Sequence, residues 1–323
     1  MKVVLVHLDL GIGGAEMLVV NIACAMKELG HEVKILTAHH DPNRCFEATK
    51  KGGAVGDCIE VIGGWLPRQI CGRFTAACAI VRMMYISFVA CRSNFVPDVV
   101  FVDGVSSPVP IFHIFGFPVL FYCHFPDKLL CTDRSTLFKQ AYRYVLDAFE
   151  ENTTGCADVI VVNSKFTANT FHGAFSVLGQ WCSPKVLYPT IAMPTEDGEG
   201  SGLVEYVQDF KFVFVSLNRY ERKKNIMLAL HALSLLLAKK EHGGEGVKCR
   251  DVLLVVAGGY DERVVENVEH YKELVDFAET NGIRDSIVFR RSVGESERNQ
   301  LLRRATAVLY TPANEHFGIV PVE

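Results

Sequence analysis

Two glutamates near the end of the chain flank a short loop that could bind a ligand. Glu315 and Glu323 stand eight positions apart, and Gly318 between them lets the backbone approach a ligand closely. Pro321 favours the start of a helix just before Glu323, and a helix N-terminus attracts anions. Taken alone, the spacing still favours two ordinary surface glutamates over a binding loop.

A basic pair follows a predicted strand in the same half of the chain. Arg219 lies at the end of the strand at 212–217, and Lys224 lies at or near the start of the next helix. A planar guanidinium and a point ammonium aimed at one place suit a diphosphate. A solvated charge run is the alternative, and the position at a strand-to-helix edge makes the two interpretations equally good.

His124 places an imidazole at the end of the predicted strand at 119–123. Parallel α/β sheets bind ligands outside the carboxyl ends of their strands, so this ring would face a ligand. A structural hydrogen bond is the more common role of a lone histidine at a strand end.

Glycines separate the first predicted strand from the first helix. Gly13 and Gly14 follow Asp9 and precede Glu16, and such a loop lets the backbone approach an anion at a helix N-terminus. A dinucleotide fingerprint would need a glycine where Glu16 stands, so a nicotinamide dehydrogenase is a remote alternative. A tight turn that serves packing alone would explain this loop but not the other motifs.

The composition limits the class of protein. The chain has 323 residues, of which 49% are hydrophobic and 22% are charged, which predicts a globular protein of two domains. Its formal net charge of −4 disfavours a general nucleic-acid binder. Its 11 cysteines form no C-x-x-C pair or metal-ligand spacing, which favours free thiols in a reducing compartment.

Short runs rich in Val, Ile and Phe alternate with helical patterns, which is typical of parallel βαβ units. In the first half we predict strands at 3–7, 33–37, 98–103, 119–123, 158–163 and 186–188, and helices at 14–29, 76–91, 137–150 and 165–175. A segment rich in Pro, Gly, Ser and acidic residues predicts a linker at 192–209. Strands at 212–217, 252–256, 287–290 and 307–310 then alternate with helices at 224–240, 262–281 and 295–305.

This organisation predicts an α/β fold with domains at 1–191 and 210–323, both doubly wound. We expect their carboxyl strand edges to face a shared cleft. The last helix is opened but not completed, so we expect the second domain to be truncated.

The apolar stretch 76–91 contains Arg82 in its middle and is shorter than a bilayer span requires. Three interpretations compete: a buried core helix, a membrane-surface helix with Arg73, Arg82 and Arg92 as phospholipid contacts, and a true span. The strand predicted directly after it argues against the span.

Five motifs together resemble those of the retaining glycosyltransferases of family 4, which have the GT-B fold. They read HLDLGIGGAE at 7–16, YCHFPD at 122–127, NRYERKKN at 218–225, AGGYDER at 257–263 and NEHFGIVP at 314–321. Within that family, they are most similar to the mannosyltransferases that assemble dolichol-linked oligosaccharides. The resemblance runs from residue 3 to the end of the chain.

The resemblance implies transfer of mannose from GDP-mannose to Man-GlcNAc2-diphosphodolichol, first in α-1,3 and then in α-1,6 linkage, for protein N-glycosylation. It implies a membrane-surface enzyme on the cytosolic face of the endoplasmic reticulum, with other mannosyltransferases of the same pathway as candidate partners. No D-x-D motif follows a strand, so we expect no protein-bound metal, although Mg²⁺ could accompany the free nucleotide.

The resemblance also implies roles for single residues. Arg219 and Lys224 match the pair that grips the donor diphosphate, and Glu315 matches the carboxylate that contacts the transferred sugar. His124 matches a histidine close to the reacting carbon, and Glu323 matches a ligand of the ribose hydroxyls. The remaining matches are backbone near the sugar and phosphates at Phe317, Gly318 and Ile319, donor phosphate at Gly13, and acceptor-side groups at Asp9, Gly14 and Glu16.

Two alternatives to this function remain open at the level of sequence. A truncated chain could bind ligands without turning them over, and we expect weak or no activity if residues beyond 323 complete the donor domain. A related transferase could use another sugar nucleotide, because neither the basic pair nor the two glutamates read the base or the sugar epimer.

Overall fold

The computed structural model describes residues 1–131, 134–190, 206–207, 209–238, 251–262, 264–313, 317–318 and 320–322. The chain divides into two compact units, Met1–Ala192 and Met193–Glu323. Each unit contains a parallel sheet with helices in its crossover connections, so the predicted α/β class is confirmed.

Seven strands form the sheet in the described part of the first unit. They are β1 (Lys2–Leu10), β2 (Glu32–His40), β3 (Ile59–Val61), β4 (Val99–Asp103), β5 (Val119–Cys123), β6 (Val159–Val162) and β7 (Lys185–Val186). Their order across the sheet is β3-β2-β1-β4-β5-β6-β7, and the paired strands are parallel. The chain therefore winds in one direction from β1 and in the other from β4, and the switch point lies between these two strands.

Helices occupy the connections between these strands. They are α1 (Gly14–Glu28), α2 (Thr75–Ala90), α3 (Val109–Ile114), α4 (Asp127–Leu130), α5 (Leu137–Thr154), α6 (Lys165–Ala174) and α7 (Leu178–Trp181). Hydroxyl caps mark two of the starts: Thr136 accepts the Lys139 N–H ahead of α5, and Ser164 accepts the Thr167 N–H ahead of α6.

Both faces of the first sheet are buried. Val4 and Val6 of β1 belong to one apolar cluster, whereas Val3 and Leu5 belong to a second. Successive strand residues point to opposite faces, so apolar side chains at consecutive positions require cover on both sides. The continuous apolar runs in the sequence follow from this burial.

The second unit repeats the design with fewer strands. Among its described residues, β8 (Phe212–Leu217), β9 (Val252–Gly258), β10 (Ile287–Arg291) and β11 (Ala307–Val308) form a parallel sheet in the order β10-β9-β8-β11. Its helices are α8 (Ile226–Ala238), α9 (Val265–Thr280) and α10 (Glu295–Arg304). The switch point of this sheet lies between β8 and β11.

The structure changes several predicted boundaries. Strand β1 continues to Leu10, so Asp9 lies on the strand and not in the loop. The helix predicted from Lys224 begins at Ile226, because Arg222–Lys224 form a 3₁₀ turn and Asn225 has a positive φ of 50°. The short elements β3, α3, α4 and α7 carry too few residues to show a periodicity and were missed.

Helix α2 corresponds to the apolar stretch around Arg82. It buries Cys78, Met83 and Ile86 and exposes Val81 and Phe88. Among the described residues, no helix combines the length and the apolar character that crossing a bilayer requires.

Candidate active site

Residues at or near the carboxyl ends of three strands of the first unit bring chemistry-bearing side chains together at the switch point. Val6 of β1 pairs with Val102 of β4, so His7 and Asp103 stand side by side on the same face of the sheet. Asp103 in turn pairs with Tyr122 of β5, and His124 lies two residues beyond Tyr122 on that face.

Asp103 bridges two histidines at this point. Its Oδ2 lies 2.7 Å from Nδ1 of His7, and its Oδ1 lies 2.7 Å from Nε2 of His124. Asp103 and His7 are buried, whereas the His124 side chain is 25% exposed. The cluster is therefore anchored in the interior and opens to solvent through His124.

The surroundings keep Asp103 ionised. Burial alone raises the pKa of this carboxyl, but the charge and hydrogen bond of His124, together with those of His7, hold it at about 2. Burial lowers the pKa of His7, but the hydrogen bond and charge of Asp103 outweigh burial and raise this pKa above its ordinary value. Folding thus fixes a carboxylate between two imidazoles.

An ionised carboxylate accepts hydrogen bonds and donates none, so Nε2 of His124 carries the proton it shares with Asp103. The second ring nitrogen, Nδ1, is then the one that a bound molecule would meet. An imidazole held in this way can bond to a sugar hydroxyl, and the carboxylate behind it stabilises positive charge near the ring.

Asp9 is held by two arginines. Nη2 of Arg82 lies 2.6 Å from Oδ1 of Asp9, Nη1 of Arg82 lies 3.2 Å from Oδ2, and Arg68 approaches within 3.8 Å. The Arg82 side chain is 3% exposed, so the interpretation of Arg82 as a phospholipid contact is wrong. An arginine inside an apolar helix serves here to fix a strand-end carboxylate.

The glycine loop follows β1, the strand that carries His7 of the histidine cluster. Gly13 is the extended residue before α1, and a Cβ placed on it would come within 2.4 Å of Oε2 of Glu16. The Glu16 carboxylate therefore folds back over the loop at the start of α1, where it complements the helix dipole. Gly14 has open space around its Cα.

At the carboxyl edge of the second sheet, the strand ends are locked by backbone contacts. Gly258 at the end of β9 has a φ of 156°, and a Cβ there would lie 2.0 Å from the carbonyl oxygen of Asn218. The N–H of Tyr220 donates to the Gly259 carbonyl at 3.1 Å, and the N–H of Ser292 donates to the Gly258 carbonyl at 2.7 Å. Only glycine permits this close approach.

Arg219 lies on this locked edge with its guanidinium accessible. Its side chain is 57% exposed, runs along Gly259 and reaches Oε1 of Glu221 at 3.4 Å. Lys224 ends the 3₁₀ turn ahead of α8, and its carbonyl accepts the Thr311 hydroxyl at 2.8 Å. The segment after β11 is thereby fastened beside the basic pair.

The structure describes part of the loop between the two glutamates. Gly318 has a φ of 73°, and a Cβ there would come within 2.7 Å of the Tyr310 hydroxyl, so the local backbone favours glycine independently of any ligand. Phe317 is half-buried. The predicted site residues Glu315, Ile319 and Glu323 lie outside the described residues.

The strand-end rule identifies His124 and Arg219, and two further strands of the first unit end in residues of the cluster. Asp103 is the last residue of the strand predicted at 98–103, and His7 is the last residue of the strand predicted at 3–7. The same rule would have identified both residues. Their mutual contact required the strand order, which places β1 next to β4.

Comparisons with known proteins agree with this architecture. The model of Glycosyltransferase Family 4 matches residues 12–178, and that of Glycosyl transferases group 1 matches residues 206–323. Sucrose-phosphate synthase from Thermosynechococcus elongatus shares the fold with a TM-score of 0.64 at 14% identity, over 99% of this chain and 77% of that chain. Two parallel-sheet units and these matches define a glycosyltransferase of the GT-B class.

Two curated relatives narrow the class. Alpha-1,3/1,6-mannosyltransferase ALG2 of Homo sapiens is 44% identical over 332 residues, which cover 100% of this chain and 76% of the relative. The protein of the same name from Dictyostelium discoideum is 41% identical over 341 residues, which cover 100% of this chain and 79% of the relative. The chain belongs to this family of α-1,3/1,6-mannosyltransferases, which confirms the resemblance seen in the motifs.

Proposed function

We propose that this chain transfers mannose from GDP-mannose to Man-GlcNAc2 linked to dolichol diphosphate, first in α-1,3 and then in α-1,6 linkage, with retention of configuration. The name of the relatives supports the sugar and both linkages. The structural observation that carries the proposal is the buried Asp103 carboxylate between His7 and His124. A fixed anion behind an imidazole suits a sugar whose anomeric carbon becomes positive as its bond to phosphate breaks.

The second unit carries positive charge at its own carboxyl edge. The exposed guanidinium of Arg219 and the ammonium of Lys224 bind the diphosphate of the donor and stabilise the negative charge that develops there. In this proposal Glu315 contacts the transferred mannose, Glu323 binds the ribose, and backbone of 317–319 approaches the phosphates.

The reaction is a same-face displacement. The bond between the anomeric carbon and the phosphate oxygen breaks, and a bond from that carbon to the acceptor hydroxyl oxygen forms. A phosphate oxygen of the departing GDP takes the acceptor proton, so no protein carboxylate has to act as nucleophile. The proposal includes no protein-held metal, and Mg²⁺ would arrive with the nucleotide sugar.

We propose that the enzyme acts at the cytosolic surface of the endoplasmic reticulum membrane, because the proposed acceptor is attached to a lipid. An apolar tip supports this location: Ile70, Phe74, Leu130, Leu137 and Phe138 are exposed around the N-terminal ends of α2 and α5. The rings of Phe74 and Phe138 pack edge to face with centroids 6.4 Å apart. By the topology of the sheet, these helix ends lie at the carboxyl edge that carries His124.

Four exposed basic residues lie within a few positions of these apolar residues in the chain: Arg68, Arg73, Arg134 and Lys139. Apolar tips among basic groups are typical of surfaces that bind anionic bilayers. We expect Phe138→Ser to reduce sedimentation with anionic liposomes severalfold. Trp181→Ser, which changes an equally exposed ring in α7 at the other edge of the sheet, should leave it unchanged. Equal losses for the two variants would contradict this docking surface.

The transfer reaction is tested with GDP-mannose and a short-chain Man-GlcNAc2-diphospholipid in liposomes. We expect labelled product from the wild-type chain, none from Glu315→Ala, and unchanged product from Asp98→Asn, whose carboxylate bonds to the Lys2 N–H before β4 begins. Inhibition of the transfer by GDP but not by UDP would support GDP-mannose as the donor. Competition by UDP would instead favour a family member with another sugar nucleotide, and binding without product would leave a non-catalytic protein.

A further inference from the structure

The loop that carries His124 is held by a half-buried glutamate of α5, Glu150. Oε1 of Glu150 accepts the N–H of Asp127 at 2.7 Å, and Oε2 accepts the N–H of Lys128 at 3.1 Å. These are the first two amides of α4, which begins three residues after His124. Each carboxylate oxygen therefore satisfies one amide that the short helix leaves unpaired.

The same turn of α5 also holds the loop that follows Asp103. The hydroxyl of Ser106 donates to the carbonyl of Glu150 at 3.4 Å and lies 2.7 Å from the hydroxyl of Thr153. Glu150 thus contacts, through its side chain and its backbone, the two loops whose strands carry Asp103 and His124.

We propose that Glu150 is a positioning residue for the transfer reaction, whose ionised carboxylate holds the His124 loop in its reactive position and releases part of that hold on protonation. A neutral carboxyl keeps one oxygen that accepts hydrogen bonds well, whereas its hydroxyl oxygen accepts an N–H only weakly. The inference rests on the proposed function, because it concerns the rate of that reaction.

The environment of Glu150 places this proton exchange near neutral pH. Burial is the main cause that raises the pKa of Glu150 to about 7, against the two amide hydrogen bonds, which lower it. The neighbouring carboxylates of Asp127 and Asp147 raise it further. The titratable and charged groups around it are Asp127 and Lys128 on α4, Asp147 on α5, Cys123 on β5, and Arg143, which pairs with Asp127 and Asp147.

The chain supplies a matched control at the next residue. Glu151 caps a different helix in the same manner, because its Oε1 accepts the N–H groups of Val177 and Leu178 at 2.6 and 2.9 Å. Leu178 begins α7, which carries none of the candidate site residues. Glu150→Gln and Glu151→Gln therefore remove the same charge from the same helix, with different loops affected.

The first measurement is hydrogen exchange of the Asp127 and Lys128 amides, corrected for the intrinsic pH dependence. In the wild-type chain, we expect the protection of the Lys128 amide to fall at least about threefold between about pH 8 and about pH 6. Glu150→Gln should show the low value at both pH values, and Glu151→Gln should follow the wild type. A flat wild-type profile, or a Glu150→Gln protein protected like the wild type at pH 8, would overturn the proposal.

The second measurement is transfer at saturating substrate across the same pH range. We expect Glu150→Gln to lower kcat about tenfold at pH 8 with an unchanged KM for GDP-mannose, and Glu151→Gln to keep the wild-type rate. Titration of His7 affects the wild type and both variants alike, so it cancels when their rates are divided by one another. A wild-type rate for Glu150→Gln would overturn the proposal. If the wild-type chain transfers no mannose at any pH, the proposed function fails, and amide protection alone then decides whether Glu150 positions the loop.

Discussion

The carboxyl edges of the two sheets are built in opposite ways. In the first unit, Asp103 is buried and both its oxygens are bonded to histidines from neighbouring strands. In the second unit, close backbone contacts around Gly258 fix the ends of the strands, and the Arg219 side chain remains largely exposed.

This difference separates two tasks. Side-chain bonds in the first edge set the protonation state of its groups as the protein folds, which suits contact with a reacting sugar. Backbone locking in the second edge fixes where a guanidinium is attached and leaves its donors accessible to an anion. The edge of the first unit is thus defined by the charges of its side chains, and the edge of the second unit is defined by the positions of its backbone.

The largest loss of stability is expected when the backbone-locked edge of the second unit is altered. Gly258→Ala would place a Cβ 2.0 Å from the carbonyl oxygen of Asn218, so the strand ends must separate. We expect a loss of about 3 kcal/mol or more in the free energy of unfolding, measured by chemical denaturation. Gly294→Ala has open space in the same unit and should cost far less. Equal costs would show that the close approach at Gly258 is unimportant.

A pH effect of about 3 kcal/mol is expected from the first unit. The pKa of Glu150 is raised to about 7 in the folded state, against 4.5 in the unfolded state. Its contribution to the free energy of unfolding is therefore fully present below pH 4.5 and is lost as pH rises to 7. His7, whose pKa is also raised, loses its contribution as pH rises through its folded value. The free energy of unfolding should therefore fall between about pH 5 and about pH 8. Glu150→Gln should flatten most of this slope, and an unchanged slope would contradict the assignment.

Asp103→Asn tests directly how much the bridging carboxylate of the first unit contributes to stability at neutral pH. A carboxyl whose pKa falls from 3.8 to about 2 on folding contributes about 2 kcal/mol above pH 3.8, and this contribution is lost as pH falls through 2. We expect Asp103→Asn to lose that amount in urea denaturation at pH 7. Asp98→Asn, which changes an exposed aspartate just before the same strand, should change stability much less.

The smallest effect is expected for an exposed ion-pair network of the second unit. Arg222 bonds to Glu269 and Glu273 at 3.1 and 2.6 Å, but all three side chains are exposed to solvent, which screens their attraction. Arg222→Ala should leave the thermal midpoint within experimental error. Arg143→Ala, which removes a buried arginine from between Asp127 and Asp147, should lower the midpoint clearly. A large shift for Arg222→Ala would weaken the contrast between the two units.

The sequence was sufficient for the alternation of elements and for the residues at strand ends. Apolar runs predicted the long strands, and the strand-end rule located His124 and Arg219. The lateral order of strands depends on contacts distant in sequence, so the bridge from Asp103 to His7 was not visible. The alternatives for Arg82 stayed open for the same reason, because its partner Asp9 lies 73 residues earlier.

We propose that the two edges perform different parts of mannose transfer, and paired substitutions test this division most directly. GDP binding by calorimetry and single-turnover transfer are measured for His124→Ala and Arg219→Ala. We expect Arg219→Ala to weaken GDP binding by about tenfold or more, and His124→Ala to leave it within about twofold while transfer falls about 100-fold. If His124→Ala weakens GDP binding as much as Arg219→Ala does, or transfers mannose at the wild-type rate, the division of tasks between the edges is wrong.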